Sequence, residues 1–358
     1  MKLLYLTDRL SHRGGAPHHL LDLISVMARD HTITVAAADK DRDVALPEHV
    51  QFVRCSGLRH SRGHTGGLSK LPGLLSRADG VHVQNVMNPE ALRLACGPRT
   101  IVTVQDHRVF CPGPGKTLPT DRPCVQPMSE SQCDVCIPDE DHRRAMVALT
   151  HARLQAIQTA RRVIVLSHYM AECLAGVGLP GADVVPPPVP VDPREAASGA
   201  NFMIAGRLVH HKGIDIALRA FRQANPGCEL RIAGLGNEDL DGATAMGWLD
   251  RAALREELRS ARALLFPARW QEPFGIVGVE ALAVGTPVIA MKRGGMGAWT
   301  DAGTLVVDDV EQMSDAITRL SRDTALAQRL GEAGQVMVAE RFSPRRHEEA
   351  MKAVYGMI

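Results

Sequence analysis

The feature that most limits the fold of this chain is its rhythm. Short apolar runs rich in β-branched residues alternate with stretches whose apolar residues fall at helical spacing. KLLYLT (2–7) is followed by a loop holding Gly14 and Gly15, then by Pro17, which suits a first helical turn. Leu20, Leu21, Leu23, Ile24 and Met27 then line one face. TITVAAA (32–38), GVHVQN (80–85), TIVTVQD (100–106) and RVIVLS (162–167) supply further buried strands. The alternation predicts βαβ units around a parallel sheet. At 184–193 the chain reads VVPPPVPVDP, and so many prolines exclude a helix or a central strand. They mark a semi-rigid linker. Beyond it the rhythm restarts with NFMIAGR (201–207), CELRIAG (228–234), ARALLFP (261–267), TPVIAM (286–291) and TLVVDD (304–309). The expected organisation is an α/β domain over 1–185, a linker over 186–198 and a second α/β domain over 199–340. A charged amphipathic helix over 341–358 is expected to pack back on the first domain.

Composition narrows the function. The 358 residues suit two domains. A hydrophobic content of 45% with 23% charged residues excludes disordered and fibrous classes. The net charge of +1 provides no basic field for nucleic acid. The apolar start MKLLYLT ends at Asp8 and Arg9, too soon for an export signal. No apolar run reaches the roughly 18 residues of a membrane span. The expected location is the cytoplasm. Basic clusters at RHSRGH (59–64), Arg143–Arg144 and Arg161–Arg162 leave peripheral contact with the inner membrane face open, although such runs usually only meet solvent.

The chemistry concentrates in the second half. In AGRLVHHKG (205–213) a strand ends at Gly206, and Arg207 and Lys212 follow. Each alone is an ordinary surface cation; together they suit a pyrophosphate, one as a planar fork and one as a point charge. In EPFGIVGVE (272–280), Gly275 stands where a helix begins, and a glycine there leaves backbone N–H groups open to an anion. Glu272 precedes that turn and Glu280 lies more than a turn inside the helix. A first-turn acid and an exposed helix acid would explain them singly, but not their placement around one Phe-Gly turn.

These two motifs resemble the retaining glycosyltransferases of family four, whose fold is GT-B: two Rossmann-like domains with a cleft between them. Glu272 and Glu280 complete that family's E-x7-E signature. The Gly14–Gly15 loop, VIVLSHYM (163–170) and the C-terminal helix extend the resemblance over nearly the whole chain. It implies a nucleoside diphosphate sugar of UDP or GDP type, a hydroxyl acceptor and no metal in the chemistry. Arg207 and Lys212 would neutralise the leaving diphosphate, and Glu280 would hold the ribose. Glu272 would hold hydroxyls of the transferred sugar, helped by Gly206 and the backbone of Pro273, Phe274, Gly275, Ile276 and Val277. Trp248 falls in a segment (247–270) that runs along the nucleotide base in that family. Gly14 and Gly15 would approach the donor phosphates. Gln105 stands where members commonly carry His, with His107 two positions later, and His18, His19 and His107 are candidates to face the acceptor. Two other readings remain: a GT-B protein acting as a binding or scaffold subunit, and a sugar-nucleotide 2-epimerase. A dinucleotide dehydrogenase is disfavoured, because GLGNED (234–239) lacks the third glycine of its fingerprint.

Cys111, Cys124, Cys133 and Cys136 lie in a Pro/Gly/Ser-rich insert (111–136) with little core-forming character. Cys133-x2-Cys136 has the spacing of a metal knuckle, and two upstream thiols could complete a structural zinc site. An iron–sulfur cluster and a redox dithiol share the ligands. Four unrelated free thiols on a loop are the simpler alternative.

Overall fold

The computed structural model describes residues 1–192, 199–240 and 242–358, so the end of the expected linker, 193–198, lies outside the described residues. The chain divides into two compact units, Met1–Pro186 with His347–Ile358, and Pro187–Arg346. Most of the C-terminal helix thus belongs to the first unit.

The first unit holds seven strands: β1 (Lys2–Leu10), β2 (Thr32–Lys40), β3 (Gln51–Arg54), β4 (Gly80–Gln84), β5 (Thr100–Val104), β6 (Arg162–Val165) and β7 (Asp183–Val184). They pair in the order β3-β2-β1-β4-β5-β6-β7, every pair parallel. Helices α1 (Gly15–Met27), α2 (Leu71–Leu75), α3 (Pro89–Ala95), α4 (Glu140–Ile157) and α5 (His168–Ala175) connect them. Strands covered on both faces need continuous apolar runs, and β4 and β5 are buried at every residue. One core gathers Leu4, Leu6, Val83 and Val104, and the other Leu3, Tyr5, Ile24 and Val35.

The second unit has β8 (Phe202–Ala205), β9 (Leu230–Ala233), β10 (Thr244–Gly247), β11 (Ala263–Phe266), β12 (Val288–Met291) and β13 (Thr304–Val307). Their order is β10-β9-β8-β11-β12-β13, again all parallel. Its helices are α6 (Ile214–Ala224), α7 (Arg251–Arg259), α8 (Ile276–Ala283), α9 (Val310–Arg322) and α10 (Thr324–Arg341). The last helix, α11 (Pro344–Tyr355), starts at its proline and carries the chain back into the first unit. There Met351, Val354 and Tyr355 join the second core, and Tyr355 Oη lies 2.6 Å from Tyr5 Oη.

No described helix is long and apolar enough to cross a membrane. Acids occupy much of the basic surface singled out above. Arg59 bonds Asp39 at 2.7 Å, and Arg144 lies against Glu130, Glu140 and Asp141. Arg162 pairs with Asp183.

Candidate functional site

In the second unit the strand order reverses between β8 and β11. Loops leaving those neighbours at their carboxyl ends diverge, and open α/β sheets take ligands at that point. Both second-half motifs lie there: residues 206–212 leave β8 and residues 267–275 leave β11. The two loops are locked together at the backbone. Gly213 has φ 69°, and a Cβ on it would stand 2.0 Å from the Pro267 carbonyl oxygen. Arg269 N–H donates to His211 O at 3.0 Å, and the Arg269 guanidinium forks onto Asp215 at 2.5 and 2.7 Å.

Lys212 Nζ donates to Glu272 Oε1 and lies 5.2 Å from the Trp270 ring centre. The Glu272 side chain is only 5% exposed and that of Lys212 21%, so the pair is largely shielded from screening. The Glu272 backbone is held too, its carbonyl accepting from Gly295 N–H at 2.7 Å. Arg207 is exposed at the mouth of the β8 loop. His211 stacks on Trp270 with ring centres 4.6 Å apart. Burial, then the Lys212 and Arg207 cations, push its imidazole down to about 4, so it is neutral at pH 7. Glu280, on α8, has Oε1 4.0 Å from Arg251 Nε at the start of α7. Trp248 is 40% exposed just before α7. Pro273 and Phe274 are buried, and the Phe274 ring packs edge-on against Phe342. The Phe274 ring is therefore committed to packing.

Helix capping differs among the longer helices. Helices α4, α5, α7, α9 and α10 begin with Asp or Ser side chains that accept a backbone N–H. Helices α1, α6 and α8 begin instead at Gly14, Gly213 and Gly275, without a side-chain cap. These three follow β1, β8 and β11, strands at the two order reversals. Their first-turn N–H groups and positive dipole ends remain free of side-chain caps. In the second unit this joins two cations and two carboxylates, a set able to bind a diphosphate and hydroxyl groups together.

In the first unit Gly14 (φ 100°) and Gly15 are exposed at the start of α1, and His18 is half-buried beside the His12 ring. His19 and His107 differ from surface acceptor contacts. His19 is 4% exposed and His107 2% exposed, with His107 Nε2 at 3.1 Å from Tyr169 Oη. Gln105 is 8% exposed and committed within a polar chain. Gln84 Nε2 donates to Gln105 Oε1 at 3.1 Å, and Gln105 Nε2 donates to His19 Nδ1 at 2.6 Å. His347 Nδ1–H donates to Pro186 O at 2.8 Å. That leaves neutral His347 Nε2 as acceptor for His19 Nε2–H at 3.4 Å. The direction of every bond follows, and Gln105 is the donor that sets it. Among the described residues, no three His, Cys, Asp or Glu side chains are disposed as a ready metal cage.

Residues 13–193 match the sequence profile of Glycosyltransferase Family 4, and residues 195–337 match that of Glycosyl transferases group 1. The first match alone spans half the chain. The chain belongs to glycosyltransferase family 4. Among its relatives in the family, a Mycobacterium tuberculosis glycogen synthase is 31% identical over 181 residues, which is 45% of this chain and 44% of that protein. The aligned part thus covers less than half of that relative. A Mycobacterium leprae phosphatidyl-myo-inositol mannosyltransferase is 27% identical over 90% of this chain and 87% of its own length. The Anabaena protein HepE, solved with UDP and glucose, superposes with a TM-score of 0.68 at 17% identity, each chain fully covered. WaaG, a glycosyltransferase of lipopolysaccharide biosynthesis, reaches 0.72 at 15% identity over 99% of this chain and all of its own. At such identities the superpositions speak for the GT-B fold.

The family motifs found in the sequence meet in one place, but some partners of the site were not legible there. Arg251 beside Glu280 lies in the 247–270 segment, but nothing in its spacing singles it out. His211 sat inside a recognised motif, yet its stacking on Trp270 depends on the β11 loop 59 residues away in sequence.

Proposed function

We propose that this protein transfers a sugar from a nucleoside diphosphate donor, of UDP or GDP type, to a hydroxyl acceptor with retention at the anomeric carbon. The observation that carries the reading is the contact of Lys212 with Glu272 between the loops that lead to the glycine starts of α6 and α8, with Arg207 exposed on the first of those loops. The donor diphosphate binds at these cations and amides. Glu280 accepts from ribose hydroxyls, and Glu272 accepts from hydroxyls of the transferred sugar. In the reaction the bond from the anomeric carbon to the diphosphate oxygen breaks. The acceptor oxygen bonds to that carbon on the same face, and its proton passes to the departing diphosphate. Negative charge grows on the diphosphate, where Arg207 and Lys212 stabilise it; preorganised donors of this kind are usually the largest catalytic contribution. HepE, a structural neighbour, was solved with UDP, which supports a nucleotide donor.

Melting curves with UDP, GDP, ADP, CDP or dTDP, without metal, test the reading. A ligand that binds only the folded state raises the midpoint with the logarithm of its concentration over its Kd. One nucleotide is expected to raise it, and Arg207→Ala with Lys212→Ala to abolish the shift. No shift with any nucleotide would favour the binding-subunit alternative, for which the replacement of the family's usual His by Gln105 is the available argument.

A further inference from the structure

Between β5 and α4 the chain makes a long excursion that carries four cysteines absorbed by nothing above. It leaves the carboxyl end of β5 directly after Gln105. Val109 and Phe110 at its start join the core, but beyond them little in it can form one. Cys111 and Met128 pack against the unit's interior, but Val125 is 83% exposed and Val135 54%. A segment this poor in buried apolar surface needs another staple to hold one shape.

The backbone gathers the four thiols around one turn. Lys116 N–H donates to Cys111 Sγ at 3.3 Å, closing the loop 111–116. Cys124 N–H donates to Lys116 O at 2.7 Å, and Thr117 bridges Pro123, so a short hairpin returns Cys124 to the same place. Cys136 Sγ lies 3.9 Å from Thr117 O. A Cβ on Gly113 would be 3.2 Å from Cys136 Cβ, so Cys136 also touches the first loop. Cys133 is held to Cys136 by one tight turn, Cys136 N–H to Cys133 O at 3.2 Å and Ile137 N–H to Cys133 O at 2.9 Å. All four are unbridged.

We infer that Cys111, Cys124, Cys133 and Cys136 bind one zinc ion as four thiolates and so fix the shape of this insert. The sulfurs face backbone groups rather than a common point: Cys111 the Lys116 N–H, Cys124 the Gln126 carbonyl and Cys136 the Thr117 carbonyl. Binding requires rotation about Cα–Cβ bonds between staggered wells and release of four thiol protons to solvent as four Zn–S bonds form. The Lys116 N–H already aimed at Cys111 Sγ becomes a bond to a thiolate, the kind of outer contact that orients metal ligands. The N–H···S contact and the Cys133-x2-Cys136 turn both suit a tetrahedral four-sulfur site.

The full chain, purified under reducing conditions without added metal and then dialysed, is expected to carry about one zinc per chain. Cobalt substitution should give the intense visible bands of a tetrahedral four-sulfur site. Cys133→Ser with Cys136→Ser should lose the metal, while Cys228→Ser, in the other unit, should keep it. If the double variant does not fold, a mercurial titration of the wild-type chain still decides, since zinc must leave as the thiols are consumed. Zinc in the wild-type chain no higher than in the double variant overturns the inference. So does iron with iron–sulfur absorbance, or a thiol count showing the quartet in disulfides. None of these readouts depends on sugar transfer.

Discussion

At the scale of single residues, the Lys212–Glu272 pair decides most. Glu272 is buried, and removing one partner of a shielded ion pair leaves the other charge without compensation. Lys212→Ala is therefore expected to cost about 2–3 kcal/mol of stability, because the Glu272 carboxylate loses its donor. Lys212→Ala with Glu272→Ala should recover part of that loss, for a coupling of about 1–3 kcal/mol in a double-mutant cycle by urea unfolding. A coupling within experimental error would mean that the two side chains are not energetically paired. The same lysine is proposed to stabilise the leaving diphosphate, so Lys212→Ala should also lower kcat by roughly 10²–10³-fold. Lys212→Arg would restore charge but not the point-like fit over Trp270, and activity should recover only in part. Arg153 shows that a buried cation need not be functional. It is 3% exposed and donates to the carbonyls of Met87, Arg108 and Ser61, tying three loops of the first unit together.

At the scale of elements, α8 shows how a motif is held in place. Its N-cap Gly275 adopts φ 83°, and Trp299 packs flat enough on the helix that a Cβ on Gly278 would stand 2.3 Å from its ring. Trp299 Nε1–H donates to Phe274 O at 2.7 Å, fixing the turn from which Glu272 and the first-turn amides project. Gly278→Ala should therefore cost about 1–3 kcal/mol by overpacking. It should also weaken nucleotide binding as the turn shifts, and a shift in Trp299 fluorescence would report the displacement; an unchanged melting midpoint would refute it. The parallel strands were legible in the sequence because buried apolar runs are a local pattern. The short edge strands β3, β7 and β10 were not, since their residues are half-buried or exposed and carry little apolar signal. The glycines of GLGNED likewise have a packing cause invisible in sequence: a Cβ on Gly234 would meet Gly206 O at 1.8 Å. The burial of His19 and His107, candidates to face the acceptor, has no signal in their neighbouring residues. Their partners, Gln105, His347 and Tyr169, come from distant segments.

At the scale of the molecule, the polar interior of the first unit sets an acid limit. His19, His82 and His347 are buried, and burial pushes all three imidazoles below their ordinary value, His82 to about 3 with a further push from His347. The bond directions around His19 act in the same sense as burial. His19 Nδ1 accepts from Gln105 and His347 Nε2 accepts from His19, so a second proton on either ring would face a donor. His82 bridges Tyr355 Oη at 2.5 Å and Thr103 Oγ1 at 2.7 Å, coupling α11 to the sheet. An unfolded histidine takes up a proton near pH 6.5 and the folded one does not. Their contribution is thus intact above about pH 6.5 and is lost as pH falls from there toward the folded values. Each histidine steepens that loss by up to about 1.4 kcal/mol per pH unit. Carboxylates held low, such as Asp215 by its hydrogen bond from Arg269, give way only below about pH 4, so the window between is set by imidazoles. The second unit has the single half-buried His211 with the same sign. Nature has also separated the probes: Tyr5, Tyr169 and Tyr355 all lie in the first unit, and Trp248, Trp270 and Trp299 in the second. Between about pH 6.5 and 4.5, stability followed by tyrosine near-ultraviolet signal should therefore fall faster than that followed by tryptophan fluorescence. His82→Gln keeps hydrogen-bonding groups but cannot titrate. It should flatten the tyrosine-monitored slope by about one proton and leave the tryptophan-monitored slope unchanged. Equal slopes for the two probes in the wild-type chain would show that the buried histidines are not what limits the first unit in acid.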